Sequence, residues 1–204
     1  PDQTDRSFTV HAVALQARGR LGGAGQILQV AAPVAQPVPR LLAQRGFRQA
    51  EALGEFVTCH DTDDWSHPRK IEIQAHRLLE NADAIGNLSM CIRVRPGMRF
   101  HRRGNAGFYA SKNMSSLMFR RDPVLKDAGY WDCVRFAGDS EYIRRLKRIF
   151  GEDAVFVIKD LPLSFIGQGE ASLTVNDYFG YNGTLMGARA VYKSCYTAWH
   201  RRPG

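Results

Sequence analysis

From residue 45 onwards, the chain alternates short apolar runs, typical of buried strands, with amphipathic segments of helical period. Strands are predicted at 55–59, 84–94, 115–119 and 154–158. Helices are predicted at 46–53, 68–81, 122–129, 139–150 and 184–200. Because each element must bury its apolar side against another, this order restricts the chain to a mixed α/β fold with helices against a central sheet.

Residues 1–44 follow a different pattern. Glycines crowd 18–25, and Pro33, Pro37 and Pro39 interrupt any regular period. Neither the G-x-G-x-x-G pattern nor the Walker phosphate-loop pattern occurs there, so these glycines do not indicate a common nucleotide loop. We therefore expect an irregular or degenerate segment at 1–44 and one folded domain at 45–204.

The composition is that of a globular domain. Hydrophobic residues make up 44% of the chain and charged residues 24%, which argues against a disordered or low-complexity protein. The longest apolar run, at 27–35, is far shorter than the about 20 residues that a membrane-spanning helix needs. The cysteines lie far apart without a Cys-x-x-Cys pair, so neither a zinc site nor a disulfide framework is indicated. We expect a cytoplasmic protein, and association with the inner face of the membrane stays open.

The positive charge is concentrated in one stretch. Residues 93–121 carry eight arginines and lysines and no acidic residue, which equals the net charge of +8. Such a stretch favours an anionic partner, for which a nucleotide phosphate, an acidic polymer, nucleic acid and a membrane surface are candidates. A solvated basic loop explains it equally well. Specific nucleic-acid binding is disfavoured, because we recognise neither a reading motif nor an interleaved aromatic platform.

Three carboxylates follow the strand predicted at 55–59, namely Asp61, Asp63 and Asp64. Carboxylates this close repel one another unless a cation or hydrogen-bond donors compensate them. Mg²⁺ and Mn²⁺ take oxygen ligands and leave positions open for substrate phosphates. The cluster therefore indicates either a divalent-metal site or an Asp-rich turn ahead of the next helix.

Residues 55–68 resemble the Asp-x-Asp region of family-two glycosyltransferases, which have the GT-A fold. Later blocks match in the same order, and they are Asn113-x-Ser-Ser-Leu-Met-Phe-Arg-Arg121, Gly129-Tyr-Trp-Asp132, Gly138-Asp-Ser-Glu-Tyr-Ile-Arg-Arg-Leu146 and Ala171-Ser-Leu-Thr174. The resemblance implies a GT-A-like mixed sheet flanked by helices, with a partial Rossmann-like nucleotide-binding half. Family members normally place about two βα units ahead of Asp-x-Asp. Only sixty residues precede Asp61, so we expect the normal amino-terminal half to be lacking.

The resemblance also implies a reaction. A sugar would pass from a nucleoside-diphosphate sugar, with a UDP-sugar as the expected donor, to a glycan or other hydroxyl acceptor with inversion, in cell-surface polysaccharide or glycan synthesis. Asp61 and Asp63 would bind the donor and ligate Mn²⁺ or Mg²⁺, and Asp64 would ligate or orient the metal. Residues 43–46 are similar to the Arg-Asn-x-Gly segment of the family, which adds Arg45 to the implied donor-binding residues.

The general base of the family begins a helix that ends in an Arg-Leu pair, which implies Asp139, with Glu141 as the second candidate. From the residues alone, Asp139 is explained as well by helix capping, and Glu141 by a pair with Arg145 on the helix surface. The Trp-His pair at 199–200 matches a late pair in similar proteins and implies His200 as a further metal ligand. A surface histidine at a helix end is the alternative.

Two alternatives stay open. Trp65 and Trp131 are candidates for sugar stacking in an acceptor pocket, although packing in the core is the commoner role of a tryptophan. The chain as a whole also fits a non-catalytic remnant or binding module that keeps the later half of the fold.

Overall fold

The computed structural model describes residues 52–61, 64–102, 108–132, 134, 136–168 and 187–201, together with the backbone of 11–15. Most of the irregular segment predicted at 1–44 and of the helix predicted at 46–53 lies outside these residues. Within the described part of the chain, no helix is long and apolar enough to cross a membrane.

The described elements make the protein a mixed α/β structure. The strands are β1 (His11–Leu15), β2 (Phe56–His60), β3 (Trp65–Ser66), β4 (Gly86–Arg95), β5 (Arg99–His101), β6 (Ala110–Lys112), β7 (Met118–Arg120) and β8 (Val155–Gly167). The helices are α1 (Lys70–Glu80), α2 (Arg121–Asp127), α3 (Gly138–Phe150) and α4 (Ala188–His200), with short 3₁₀ helices at Met114–Ser116 and Glu152–Ala154.

The strands form one mixed sheet in the order β1-β2-β7-β4-β8-β3, with β5 and β6 added to β4. Strand β7 pairs antiparallel with both β2 and β4, and β4 pairs parallel with β8. Strands β2, β4 and β8 therefore run in the same direction, so their carboxyl ends lie at one edge of the sheet. We call this the carboxyl edge; it comprises His60, residues 90–95 and residues 162–167.

The helices flank the sheet because each has one apolar face. Helix α1 buries Gln74, Ala75 and Leu78, which follow the helical period. Helix α3 buries a similar stripe and ends at Phe150; the C-cap that follows, Gly151, has a φ of 103°, in the region that glycine favours. The fold class predicted from the sequence, a mixed sheet flanked by helices, is confirmed at this level.

The core has two parts on opposite faces of the sheet. Under α3, Trp131 stacks on Tyr142 with ring centroids 4.2 Å apart, and Phe119 meets both rings edge-on. Under α1, Met118 packs with Phe56. Because successive strand residues point to opposite faces, the neighbours Met118 and Phe119 show that α1 and α3 cover different faces.

Most predicted elements are confirmed within a few residues, but two differ in extent. The strand predicted at 115–119 is divided between a 3₁₀ helix and β7, because Asn113 Oδ1 accepts a hydrogen bond from Ser115 N–H and holds the first residues in a turn. Strand β8 continues to Gly167, beyond the predicted 154–158. After a register shift at Met90, it pairs with β4 a second time.

Candidate functional site

The acidic turn, residues 61–64, follows β2 at the carboxyl edge. Asp64 N–H donates to the carbonyl oxygen of Asp61 at 3.2 Å. The Asp64 carboxylate accepts a hydrogen bond of 3.3 Å from Gly167 N–H, at the end of β8. Asp63 and Arg45 lie outside the described residues. The structure thus places Asp61 and Asp64 where parallel strands end, as expected for a ligand site of an α/β sheet.

Lys70 is a cation of this site that sequence reasoning missed. Its side chain is only 5% exposed, and Nζ donates to Ser66 Oγ at 3.3 Å. Burial lowers the pKa of Lys70, and the charges of Asp64 and Asp61 oppose that shift. The Lys70 amine therefore lies within electrostatic reach of Asp64 and Asp61. The sequence carries no clear signal for it, because only the structure shows that Lys70 and Gln74, four residues apart, lie on the buried stripe of α1.

A polar turn ties the carboxyl edge to the rest of the fold. We call it the serine turn; it is the 3₁₀ helix Met114–Ser116 with its N-cap Asn113. Ser116 Oγ accepts from Ser89 N–H and donates to the carbonyl oxygen of Asn113, both at 2.8 Å. The Ser116 carbonyl accepts from Gln74 Nε2 at 2.8 Å. These bonds join the turn to β4 and to α1.

Asp139 stands beside the serine turn in the first turn of α3. Ser115 Oγ donates to Asp139 Oδ2 at 3.5 Å, the long limit of a hydrogen bond. The chain enters the helix through Ala137, whose φ of 58° is left-handed and unusual for a residue with a side chain. The serine turn precedes β7, which is antiparallel to β2, so Asp139 and Asp61 lie at the same edge of the sheet.

Glu141 is fully buried. The sequence predicts a pair with Arg145 on the helix surface, and the surface position is wrong. The pair itself forms: the carboxylate accepts bonds of 2.8 and 2.6 Å from Arg145. Burial would lower the pKa of Arg145, but the hydrogen bonds and charge of Glu141 outweigh burial and raise it. Because both oxygens of Glu141 are engaged, this arrangement disfavours Glu141 as a general base.

His200 lies against the same buried pair. Its Nε2 is 2.8 Å from Glu141 Oε1. The direction of this hydrogen bond depends on the tautomer of the imidazole, and while the contact holds, Nε2 is engaged with the carboxylate and does not face a metal. The Arg145 guanidinium lies over the Trp199 ring, with its Cζ 5.4 Å from the ring centroid. The contact joins α4 to α3, and metal binding by His200 stays a prediction.

The acidic turn offers two described carboxylates, those of Asp61 and Asp64, to the predicted metal. Among the residues that the structure describes, no group of three or more His, Cys, Asp and Glu side chains is arranged to hold a metal. The predicted ligand Asp63 is not among them. The carboxylates of Asp61 and Asp64 are hard oxygen donors, which fit Mg²⁺ or Mn²⁺ with further positions filled by water and phosphate.

The basic stretch 93–121 is divided between two edges of the sheet. Arg120 donates to the carbonyl oxygen of Leu78 at 2.6 Å, and Arg121 donates to the carbonyl oxygen of Ala52. Both lie at the end of β7 that is opposite the carboxyl edge, so they hold the fold together and do not belong to a single basic surface. Arg93 and Arg95 do lie at the carboxyl edge, on either side of Val94, which pairs with Gly167.

The two tryptophan candidates have different surroundings. Trp131 is buried and stacked on Tyr142, so the core interpretation is confirmed for it. Trp65 is 53% exposed and stacks on Phe165 with ring centroids 5.2 Å apart. Only Trp65 of this pair can meet a large ligand without unpacking the core.

No protein-family model matches this chain, and no curated protein is significantly similar to it. The resemblance to family-two glycosyltransferases therefore depends on its own sequence blocks and on where the fold places them.

The buried carboxylate makes a stability prediction. Glu141→Gln keeps the shape of the side chain but leaves Arg145 with only the more distant Asp132, at 3.4 Å, as a countercharge, so the free energy of unfolding should fall by about 3 kcal/mol. Urea unfolding followed by circular dichroism measures this change.

The matched control is Glu152→Gln. The Glu152 side chain is 85% exposed and 3.6 Å from Lys147 Nζ, so its loss should cost no more than about 1 kcal/mol. Equal losses in the two variants would contradict a buried ion pair at Glu141.

Lys70 makes a pH-dependent prediction. Because its pKa is lowered in the folded protein, the unfolded chain binds more protons between that lowered pKa and the ordinary lysine value of 10.5. The free energy of unfolding should therefore rise with pH across this window, and Lys70→Met should remove that part of the rise.

Urea unfolding over a series of alkaline pH values tests this, with Lys126→Met on the exposed side of α2 as the control. If wild type and Lys70→Met keep the same slope, the Lys70 ammonium is not desolvated in the folded protein.

Proposed function

We propose that the protein is an inverting glycosyltransferase that moves a sugar from a nucleoside-diphosphate sugar to a hydroxyl group of a glycan or other acceptor. The observation that carries the proposal is the convergence of the acidic turn, the serine turn and the start of α3 at the carboxyl edge. These segments contain three of the family-like blocks and are far apart in the chain. Two carboxylates from different elements, Asp61 and Asp139, suit a reaction with a bound leaving group and a separate base.

The fold supports this proposal at a coarse level. A mixed sheet with helices on both faces is compatible with a GT-A-like domain, and nucleotides commonly bind where parallel strands of such sheets end. The Gly129–Asp132 block contacts α3, because Tyr142 donates to the Gly129 carbonyl at 2.7 Å and Arg145 donates to the Tyr130 carbonyl at 2.9 Å. The 129–132 block and the block at the start of α3 are therefore in direct contact, whereas the block at 171–174 lies outside the described residues.

The donor diphosphate would bind at the acidic turn. Asp61 and Asp64 would hold Mn²⁺ or Mg²⁺ there, with Asp63 as a further predicted ligand, and the metal would supply Lewis-acid neutralisation of the leaving diphosphate. Gly167 N–H fixes one oxygen of Asp64, so the carboxylate is oriented by the end of β8. Lys70 offsets part of the negative charge of the turn, which limits the repulsion between its carboxylates in the absence of a ligand.

Asp139 would act as the general base. The proton of the acceptor hydroxyl would pass to the Asp139 carboxylate as the oxygen attacks the anomeric carbon. The new glycosidic bond forms while the bond from that carbon to the diphosphate oxygen breaks, and the diphosphate leaves with the electron pair. Ser115 and the start of α3 orient the carboxylate.

One observation favours the second candidate function, a non-catalytic binding module of the same fold. Lys70 is buried beside the acidic turn, where its Nζ donates to Ser66 Oγ, and in its protonated form it would compensate part of the charge of Asp61 and Asp64 without a metal. A module of this kind would keep the turn as a structural link between β2 and α1 and would bind neither metal nor nucleotide there.

Substitution of Asp61 and substitution of Asp139 should have different effects on nucleotide binding and on the rate of transfer. Asp61→Asn should abolish Mn²⁺-dependent binding of UDP, because it removes a ligand of the metal. Asp139→Asn should keep this binding but lower the rate of transfer by about 10²- to 10⁴-fold, the usual contribution of a general base. Calorimetry with Mn²⁺ and UDP measures the first effect, and UDP release from a panel of UDP-sugars and oligosaccharide acceptors measures the second.

Asp83→Asn is the matched control, since Asp83 is exposed in the turn between α1 and β4 at the far end of the sheet. It should change neither property. Wild-type protein that binds no UDP with Mn²⁺ or Mg²⁺ would contradict the enzyme and favour the binding module. Loss of UDP binding in Asp139→Asn would instead contradict the separate role of the base.

A further inference from the structure

An exposed apolar surface lies beside the carboxyl edge, on the β4–β5 hairpin and the start of β6. Met98 at the hairpin turn is 62% exposed, and Phe108 ahead of β6 is 72% exposed. Phe100, Tyr109 and Trp65 are also more than half exposed. A contiguous group of large, exposed apolar side chains is typical of a binding surface.

Ring contacts make most of this surface continuous. Trp65 stacks on Phe165 at 5.2 Å, Phe165 meets Phe100 at 6.0 Å, and Phe100 meets Tyr109 at 6.3 Å between ring centroids. These residues come from β3, β8, β5 and the segment before β6. We call Trp65, Met98, Phe100, Phe108 and Tyr109 the aromatic surface.

Basic side chains lie on the same hairpin as the aromatic surface and on the strand beside it. Arg95, Arg99, Arg102 and Lys112 are exposed, and no acidic residue occurs between 93 and 121. Arg95 pairs with Arg99 across the hairpin, whereas Val94 pairs with Phe100. Because residues directly opposite in register share a face, the arginines of the hairpin and Phe100 project from opposite faces. The hairpin is therefore cationic on one face and apolar on the other, with Met98 at its tip.

We infer that this surface docks the protein onto an anionic phospholipid bilayer. Tryptophan and tyrosine prefer the interface between lipid and water, and apolar side chains at loop tips can enter the acyl boundary. Arginines keep their charge in the headgroup layer while their aliphatic stems follow the apolar region. The absence of acidic residues in 93–121 complements the negative surface of such a bilayer.

The tip of the hairpin favours a bilayer over a polymer that stacks on rings. Gly97 and Met98 both have left-handed φ values, 77° and 56°, so the chain turns tightly and presents Met98 outwards. A methionine side chain offers no flat ring for a base or a sugar, but it buries well in an apolar phase. Single-stranded nucleic acid, which would use the aromatic rings and the arginines, is the competing outcome of the test.

Docking would place the candidate functional site close to the bilayer. Val94 in the hairpin strand pairs with Gly167, whose N–H holds Asp64 of the acidic turn. An acceptor carried by a lipid or growing at the membrane surface would then meet the carboxyl edge. The docking itself does not depend on the proposed function, because it needs only the aromatic surface and its arginines.

The experiment is co-sedimentation of the full chain with vesicles of phosphatidylcholine alone or with about one-third phosphatidylglycerol. We expect binding to the anionic vesicles and little to the neutral ones. The double variant R99E/R102E should weaken partition by at least about 25-fold, since each lost positive charge near a membrane surface accounts for about fivefold. Its control, K126E/R148E, changes the net charge equally at exposed positions on α2 and α3 and should lower partition much less.

A second pair of variants tests the apolar contribution. M98S/F108S should lower partition at least about tenfold, because it removes two side chains that would enter the interface. L53S/V191S removes two exposed apolar side chains elsewhere and should leave partition unchanged. Equal binding to both vesicle types, equal weakening by target and control variants, or binding to oligothymidylate in place of vesicles would each overturn the inference.

Discussion

The candidate site depends on the buried hydrogen bonds of the serine turn. Asn113 N–H donates to the Ser89 carbonyl at 2.9 Å, and Thr58 Oγ1 donates to the Leu117 carbonyl at 3.0 Å. Together with the bonds of Ser116, these contacts connect the turn to β2, β4 and α1. Directional bonds in a buried polar network favour one arrangement of the elements that they join, although Gln74 Oε1 and Ser89 Oγ have no hydrogen-bond partner among the described residues. The turn is therefore the point through which the end of β2, the start of α3 and the middle of β4 are held together.

Two buried cations perform different tasks around this network. Arg145 forms a tight pair with Glu141 and bonds the backbone ahead of α3, so its charge is used to hold the helix against its neighbours. Lys70 donates to Ser66 Oγ and lies within electrostatic reach of Asp61 and Asp64, so a charge on it acts on the acidic turn. The first arrangement stabilises the fold, whereas the second sets the electrostatic potential of the edge where an anion or a metal would bind.

The sequence predicts the elements better than it predicts their side-chain partners. Apolar runs and helical periods locate β2, β4, α1 and α3, because burial of an apolar face is a local property of the pattern. The end of β8 was missed because it pairs with β4 only after a register shift, which depends on a distant strand. Glu141 was expected on the surface because its i,i+4 spacing to Arg145 is the same whether the pair is exposed or buried. Lys70 was missed because a lysine in an amphipathic helix ordinarily faces water.

The central claim is that the carboxyl edge binds a divalent metal together with a nucleotide. Broadening of backbone amide signals by paramagnetic Mn²⁺, with UDP present, tests this directly on the ¹⁵N-labelled protein. The account predicts that the signals of Asp61, Asp64, Ser115 and Gly167 broaden most, while those of Asp83 and Glu152 stay sharp. Broadening centred on other residues, or none at Mn²⁺ and UDP concentrations that saturate known metal-dependent nucleotide sites, would contradict it.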